Sequence, residues 1–395
     1  MALRVAHVST VDLSLHHLLL DQLLSLAAEG YEVIGVSAPG PHVAALEKAG
    51  IRHRAVAMTR RVTPLRDLAA LLALFRLFRR ERITLVHAHT PKAAFLGQIA
   101  ARLAGVPVVV DTLHGIPVTD HAPPWARTLV FAALRLGALC SHRILVQGRE
   151  DFEAILAAGV APPEKVRLLG NGIDLSSFQP ERYDAEARRA KREELRIPAG
   201  VPVVTFIGRL TVSKGFDQFL GAARLVSDAG FEAVWLVVGE PDLATHDPLG
   251  APLAEKLGIA ERCRFLGWRE REEIPALLAV SDLLVLPSAR EGFPRAVMEA
   301  SAMGVPVVAS DVRGCREAVV AGETGLLVPF GDVPALGAAI AGLLADPARR
   351  RALGEGGRRL AVAEMDQQRV FTRVKAAYRE LLAEAGLSAP GPGPA

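Results

Sequence analysis

The stretch SAREGFPRAVMEASAMGVPVVAS, Ser288–Ser310, places two carboxylates, Glu291 and Glu299, with seven residues between them around a Gly-Phe-Pro turn. An ionised carboxylate has two acceptor oxygens, enough to grip the vicinal hydroxyls of a sugar or ribose. The apolar run LLVLPS before the turn reads as a buried strand, and PRAVMEASAMG after it reads as a helix with Pro294 as its first residue. Free N–H groups at such a helix start, at Gly292 and Phe293, can donate to ligand oxygens. The bland alternative is a favourable helix-start charge plus a surface glutamate. A second set lies upstream in FIGRLTVSKGFD, where Arg209 and Lys214 follow the last apolar strand residue, Ile207, by two and seven positions. Gly208 lets the backbone turn tightly, and two cations in one loop suit a diphosphate. Ordinary loop cations are the competing reading.

These residues need strand ends to hold them. Short apolar runs alternate with helical segments along the chain: LRVAHVS, EVIGVSA, ITLVHAH and VPVVVDTLHG in the first part, and VPVVTFIGRL, AVWLVVGE, CRFLGW, LLVLPS, VPVVAS and GLLVP in the second. That order predicts α/β architecture with parallel sheets covered on both faces, and ligands gather at the carboxyl ends of such strands. The polar segment 174–200 between the halves reads as a linker ending in a helix. The expected division is 1–178 as one Rossmann-like domain and 179–365 as a second. A helix over 366–387 is expected to pack back on the first domain, followed by a disordered tail, 388–395.

With 395 residues, half of them hydrophobic, the chain is expected to form two soluble globular domains. Three Trp and three Tyr argue against a base-stacking nucleic-acid platform. Cys140, Cys263 and Cys315 are too far apart for a C-x-x-C pair and read as isolated thiols of a reducing cytoplasm. No signal-peptide pattern opens the sequence, and the apolar run Thr128–Cys140 is too short to span a bilayer and contains Arg135. Residues 1–170 hold 19 Lys and Arg against 13 Asp and Glu, leaving 27 against 30 for the rest. The basic excess of the first half suits an anionic membrane surface or substrate.

Taken together, GRLTVSKG, SAREGFPRAVMEASAMGVPVVASD and GETGLLVPFGD resemble the nucleotide-sugar domain of the retaining glycosyltransferases of family four, whose signature is Glu-x7-Glu. The stretch HAHTPKAAFLGQIAARLAGVPVVVDTLHG is similar to that family's acceptor domain. The resemblance spans nearly the whole chain. It implies the GT-B fold, two Rossmann-like domains whose sheets face each other across a cleft, and a hexosyl or N-acetylhexosaminyl transferase. It further implies that Arg209 and Lys214 hold the diphosphate and stabilise the leaving nucleotide. Glu291 with the Gly292–Phe293 backbone would grip the donor sugar, Glu299 the ribose, and His114 would face the donor sugar; as a lone histidine, His114 could equally be structural. No Asp-x-Asp motif supplies a metal site, so a reaction without metal or other cofactor is expected, the nucleotide sugar (UDP first, GDP also open) being a substrate. The first loop, STVDLSLHH, lacks the paired glycines of many relatives; His16 and His17 there could touch donor or acceptor, or simply line a helix face. Asn171–Asp174 resembles a structural turn before the linker.

Helical periodicity in RRVTPLRDLAALLALFRLFRRERI puts Leu68, Leu71, Leu72, Phe75 and Phe78 on one stripe beside an arginine cluster. PPWARTLVFAALRLGALCSHR is similar in character. Two readings stand: core-facing helices with snorkelling arginines, or peripheral contact with an anionic inner membrane face that presents a lipid-linked acceptor. A glycan is the other acceptor class expected. Competing functions are a nucleotide-sugar epimerase of the same architecture, a non-catalytic sugar-binding module and a dinucleotide oxidoreductase. The last lacks a G-x-G-x-x-G after the first strand.

Overall fold

A computed structural model of the chain describes residues 3–119, 122–241 and 249–391. They form two compact units, Met1–Gly170 with Arg369–Ala395, and Asn171–Gln368.

The first unit is built on seven parallel strands: β1 (Arg4–Val11), β2 (Glu32–Ala38), β3 (Arg52–Ala55), β4 (Leu85–Ala88), β5 (Val108–Leu113), β6 (Arg143–Val146) and β7 (Val166–Leu168). Their spatial order is β3-β2-β1-β4-β5-β6-β7. Side chains alternate between the faces, so Val108 and Val110 enter one apolar core while Val109 enters the other. Because both faces are covered, β5 is buried along its whole length. The second unit repeats the plan with six parallel strands: β8 (Val203–Ile207), β9 (Val234–Val238), β10 (Cys263–Gly267), β11 (Leu283–Leu286), β12 (Val307–Ser310) and β13 (Gly325–Val328), ordered β10-β9-β8-β11-β12-β13. Leu284 lies in one core and its neighbours Leu283 and Val285 in the other. Strand order reverses between β1 and β4 in the first sheet and between β8 and β11 in the second, the switch points at which α/β sheets bind ligands. The α/β expectation of two Rossmann-like parallel-sheet domains is met.

Several boundaries move. The chain passes between units after Gly170, not Phe178, because Ile173 and Phe178 are fully buried in the second unit's core. Residues 366–368 also stay with the second unit, where Gln367 N–H donates to Ile173 O at 3.0 Å. The final helix, Gln367–Glu384, buries Val370, Phe371, Val374, Ala377, Tyr378 and Leu381 in the first unit's core. Of the tail 388–395 expected to be disordered, Ala389 packs on that core and Pro390 lies against Gly30; residues 392–395 lie outside the described residues.

The helix Pro64–Arg80 packs part of the expected stripe, Leu71, Phe75 and Phe78, against the core, but its buried centre is rotated from it. Ala70, Leu74, Leu77 and Phe78 are buried, whereas Leu68 and Leu72 are 54% and 44% exposed. Both arcs of this helix are apolar, so periodicity alone does not set its phase. Trp125, Leu129, Leu136 and Leu139 on the helix Pro124–Cys140 are likewise exposed. Among the described residues no helix is long and apolar enough to cross a membrane.

Candidate donor site

In the second unit the carboxyl ends of the two switch-point strands carry the expected set. Gly208 follows β8, Arg209 is exposed just beyond it, and Lys214 closes the 3-10 turn Val212–Lys214. The next residue must be glycine. Gly215 has φ +68°, and a Cβ there would lie 1.9 Å from the carbonyl oxygen of Pro287, at the end of β11. Ala289 N–H also donates to Ser213 O at 3.0 Å. Two loops distant in sequence are therefore locked together by backbone.

That lock sets the side chains. Lys214 Nζ donates to Glu291 Oε1 at 2.6 Å, with the two side chains 26% and 10% exposed. The residues expected to hold diphosphate and sugar thus form one ion pair. Beyond Glu291, Asn171 Nδ2 donates to Phe293 O at 3.3 Å, so the Asn171 turn braces the Gly292–Phe293 loop. Pro294 is the N-cap rather than the first helical residue, the helix running Arg295–Ala302. Glu299 sits in the second turn of that helix, 6% exposed. Burial pushes its carboxyl above the ordinary range, against the opposing pull of Arg295 and Arg271; Arg295 Nε lies 3.4 Å from Glu299 Oε1. Arg271, in the turn after β10, was not singled out in the sequence, and Cys315, read there only as an isolated thiol, is buried near Glu291. Nothing in their local pattern marks them, since only the sheet order brings them here.

His114 belongs to the first unit, just past β5, and heads a buried imidazole chain. His114 Nε2 lies 3.1 Å from His89 Nδ1, and His89 Nε2 lies 3.0 Å from His7 Nδ1. Beside them, His87 bonds Tyr378 Oη and Thr112 Oγ1, both at 2.6 Å. Desolvation holds these rings neutral, His7 down to about 3, His114 down to about 4, and His87 and His89 well below the histidine range. The His114 ring also hydrogen-bonds the Gln147 side chain, and a neutral ring carries no charge to a phosphate.

The family described as Glycosyl transferases group 1 matches residues 187–360, and Glycosyltransferase Family 4 matches residues 18–177. The fold is also that of HepE from Anabaena, solved in complex with UDP-glucose, with a TM-score of 0.79 at 21% identity over 95% of this chain and 99% of that one. The UDP-Gal:alpha-D-GlcNAc-diphosphoundecaprenol alpha-1,3-galactosyltransferase of Escherichia coli is 31% identical over 279 residues, 70% of each chain. The chain is a GT-B glycosyltransferase. Another relative of this glycosyltransferase, 35% identical over 280 residues (68% of this chain, 69% of that one), is the GDP-mannose-dependent alpha-(1-6)-phosphatidylinositol monomannoside mannosyltransferase of Mycolicibacterium smegmatis. In the glycosyltransferase family frame, the Lys214–Glu291 pair sits on the unit matched by the group 1 profile, and the imidazole chain on the unit matched by family 4.

Proposed function

We propose that this glycosyltransferase moves a sugar from a nucleotide-diphosphate donor, UDP-linked in the first instance, to a glycan or lipid-linked acceptor with retention of anomeric configuration, in surface polysaccharide or glycoconjugate synthesis. The observation that carries the reading is the Lys214–Glu291 pair at the switch point of the second sheet, with Arg209 on the same strand end. Departure of a nucleoside diphosphate builds negative charge on the leaving oxygens as the sugar becomes oxocarbenium-like. Arg209 and Lys214 stabilise that charge from fixed positions, without reorganisation and without a metal ion. Glu291 and the Gly292–Phe293 backbone hold the sugar, Glu299 accepts from the ribose hydroxyls, and His114 is assigned to the transferred sugar. The E. coli relative supports a UDP donor and the M. smegmatis relative keeps GDP open.

Both of those relatives are named for lipid-borne acceptors. The exposed leucines of Pro64–Arg80, the exposed Trp125, and the arginines beside them suit peripheral docking on an anionic inner membrane face.

Thermal-shift titration against UDP, GDP, ADP and their sugar conjugates, with and without EDTA, tests the donor assignment. One nucleotide series should raise the melting temperature with EDTA making no difference. Transfer to a lipid-linked acceptor, followed by NMR of the product anomer, then reads retention. A flat response to every nucleotide would remove the donor site from this reading.

A further inference from the structure

A second group of imidazoles stands apart from the buried chain. His16 and His17 follow β1, on one turn of π-helix, Leu15–Leu19, and His42 follows β2. Each offers a ring nitrogen, and these atoms all lie within 4.8 Å of one another. The rings are close-packed, His16 to His42 stacked at 5.4 Å and His16 to His17 edge-on at 4.6 Å between centroids. All three are half-buried, and Nδ1 of His16 is shut off from solvent with no hydrogen-bond partner among the described residues.

The contrast with His7, His87 and His89 is chemical. The nitrogens of those three rings are committed to one another, to Tyr378, to Thr112 and to His114. Those at 16, 17 and 42 meet at the carboxyl edge of the sheet, on two segments that are already fastened together. Asp12 accepts from the His42 backbone N–H at 2.7 Å, and a side chain at position 40 would collide with the same carboxylate, a Cβ there lying 2.3 Å from Asp12 Oδ1. Leu15 and Leu46 anchor the two segments in the core beneath. Single π-helical turns are rare overall and are frequent at functional sites.

We propose that His16, His17 and His42 form a binding site for a borderline divalent cation of the zinc class. Three neutral imidazoles are the donor set preferred by Zn²⁺ and its late first-row neighbours over Mg²⁺ or Ca²⁺, which take oxygen ligands. Three protein ligands leave a fourth tetrahedral position for water. Asp12 acts from the outer shell by fixing the His42 segment. The site belongs to the first unit, and the transfer chemistry assigned above to Arg209 and Lys214 draws nothing from it. Its role is to clamp the β1 and β2 loops.

The test uses the full chain and the metal alone. Calorimetry with Zn²⁺ after EDTA treatment and dialysis should show one ion bound per chain, and Co²⁺ should give the intense visible bands of tetrahedral coordination. His16→Ala and His42→Gln, checked for fold by circular dichroism, should each weaken Zn²⁺ by more than about tenfold, the lower end of what loss of an outer-shell partner alone costs. Asp12→Asn should weaken it less. If His16→Ala fails to fold, the half-buried His42→Gln decides. Absence of Co²⁺ bands, or equal Zn²⁺ affinity in the folded variants, overturns the site. None of these readouts involves a nucleotide, so a failure here leaves the donor assignment standing, and the reverse holds.

Discussion

Lys214 Nζ donates to Glu291 Oε1 across 2.6 Å, so the cation of the β8 loop is aimed by the carboxylate of the β11 loop. Lys214→Ala removes a fixed donor to the leaving diphosphate and should lower kcat by about a hundredfold or more. Glu291→Gln keeps one acceptor oxygen and should retain more turnover than Glu291→Ala. Steady-state kinetics on variants of unchanged circular dichroism check both. Near-normal turnover by folded Lys214→Ala would remove the diphosphate role.

Glu299 should behave differently. Its buried carboxyl is raised by desolvation and drawn back down by Arg295 and Arg271. If it grips the ribose, it binds donor in the ground state as well as in the transition state. Glu299→Ala should then abolish most transfer at limiting donor, chiefly by raising the donor KM. A variant with unchanged KM and nucleotide thermal shift would free Glu299 from that role.

Gly215→Ala tests the backbone lock. The left-handed backbone alone costs a non-glycine residue about 1–3 kcal/mol, and the new Cβ would lie 1.9 Å from Pro287 O. Denaturant unfolding should show a loss at least that large. A loss well under 1 kcal/mol, on the scale of an ordinary surface change of about 0.5 kcal/mol, would mean that the two loops are not held as described.

Acid should weaken the first unit from a predictable point. His7, His87, His89 and His114 stay neutral when folded, whereas an unfolded chain takes up protons below the ordinary histidine value of 6.5. Their stabilisation is therefore complete above that pH and lost as pH falls toward about 3 for His7, each contributing at most about 1.4 kcal/mol per pH unit. Asp111 works the other way. Burial raises it to about 7 from 3.8, so its folded state holds the extra proton and stability falls as pH rises through that window. Denaturation midpoints measured between about pH 8 and about pH 5 should fall on the acid side. Asp111→Asn should gain most at the alkaline end. A flat acid limb would show that the four rings are protonated in place.

Much of the donor half was legible because its signals are local. A buried run, a tight loop and a helix start fit within a dozen residues, so Arg209, Lys214 and Glu291 could be named from GRLTVSKGFD and AREGF. Their pairing could not, because Lys214 and Glu291 lie 77 positions apart and only the β8–β11 adjacency closes the gap. The imidazole chain had one readable trace. His87 and His89 are two apart in a strand-like run, which places both on one face. His7 lies opposite His87 in the β1–β4 register, and Tyr378 arrives from the far end of the chain. The stripe on the helix Pro64–Arg80 was right for Leu71, Phe75 and Phe78 and wrong for Leu68 and Leu72, because leucines cover more than half its circumference and burial there is decided by neighbours.

The return of the last helix to the first unit carries a consequence for synthesis. His87 cannot meet Tyr378 until residue 378 has left the ribosome. The amino-terminal sheet must wait, one apolar face only partly covered, while the whole second unit is made. The usual order of one domain completing before the next begins is therefore closed to this chain.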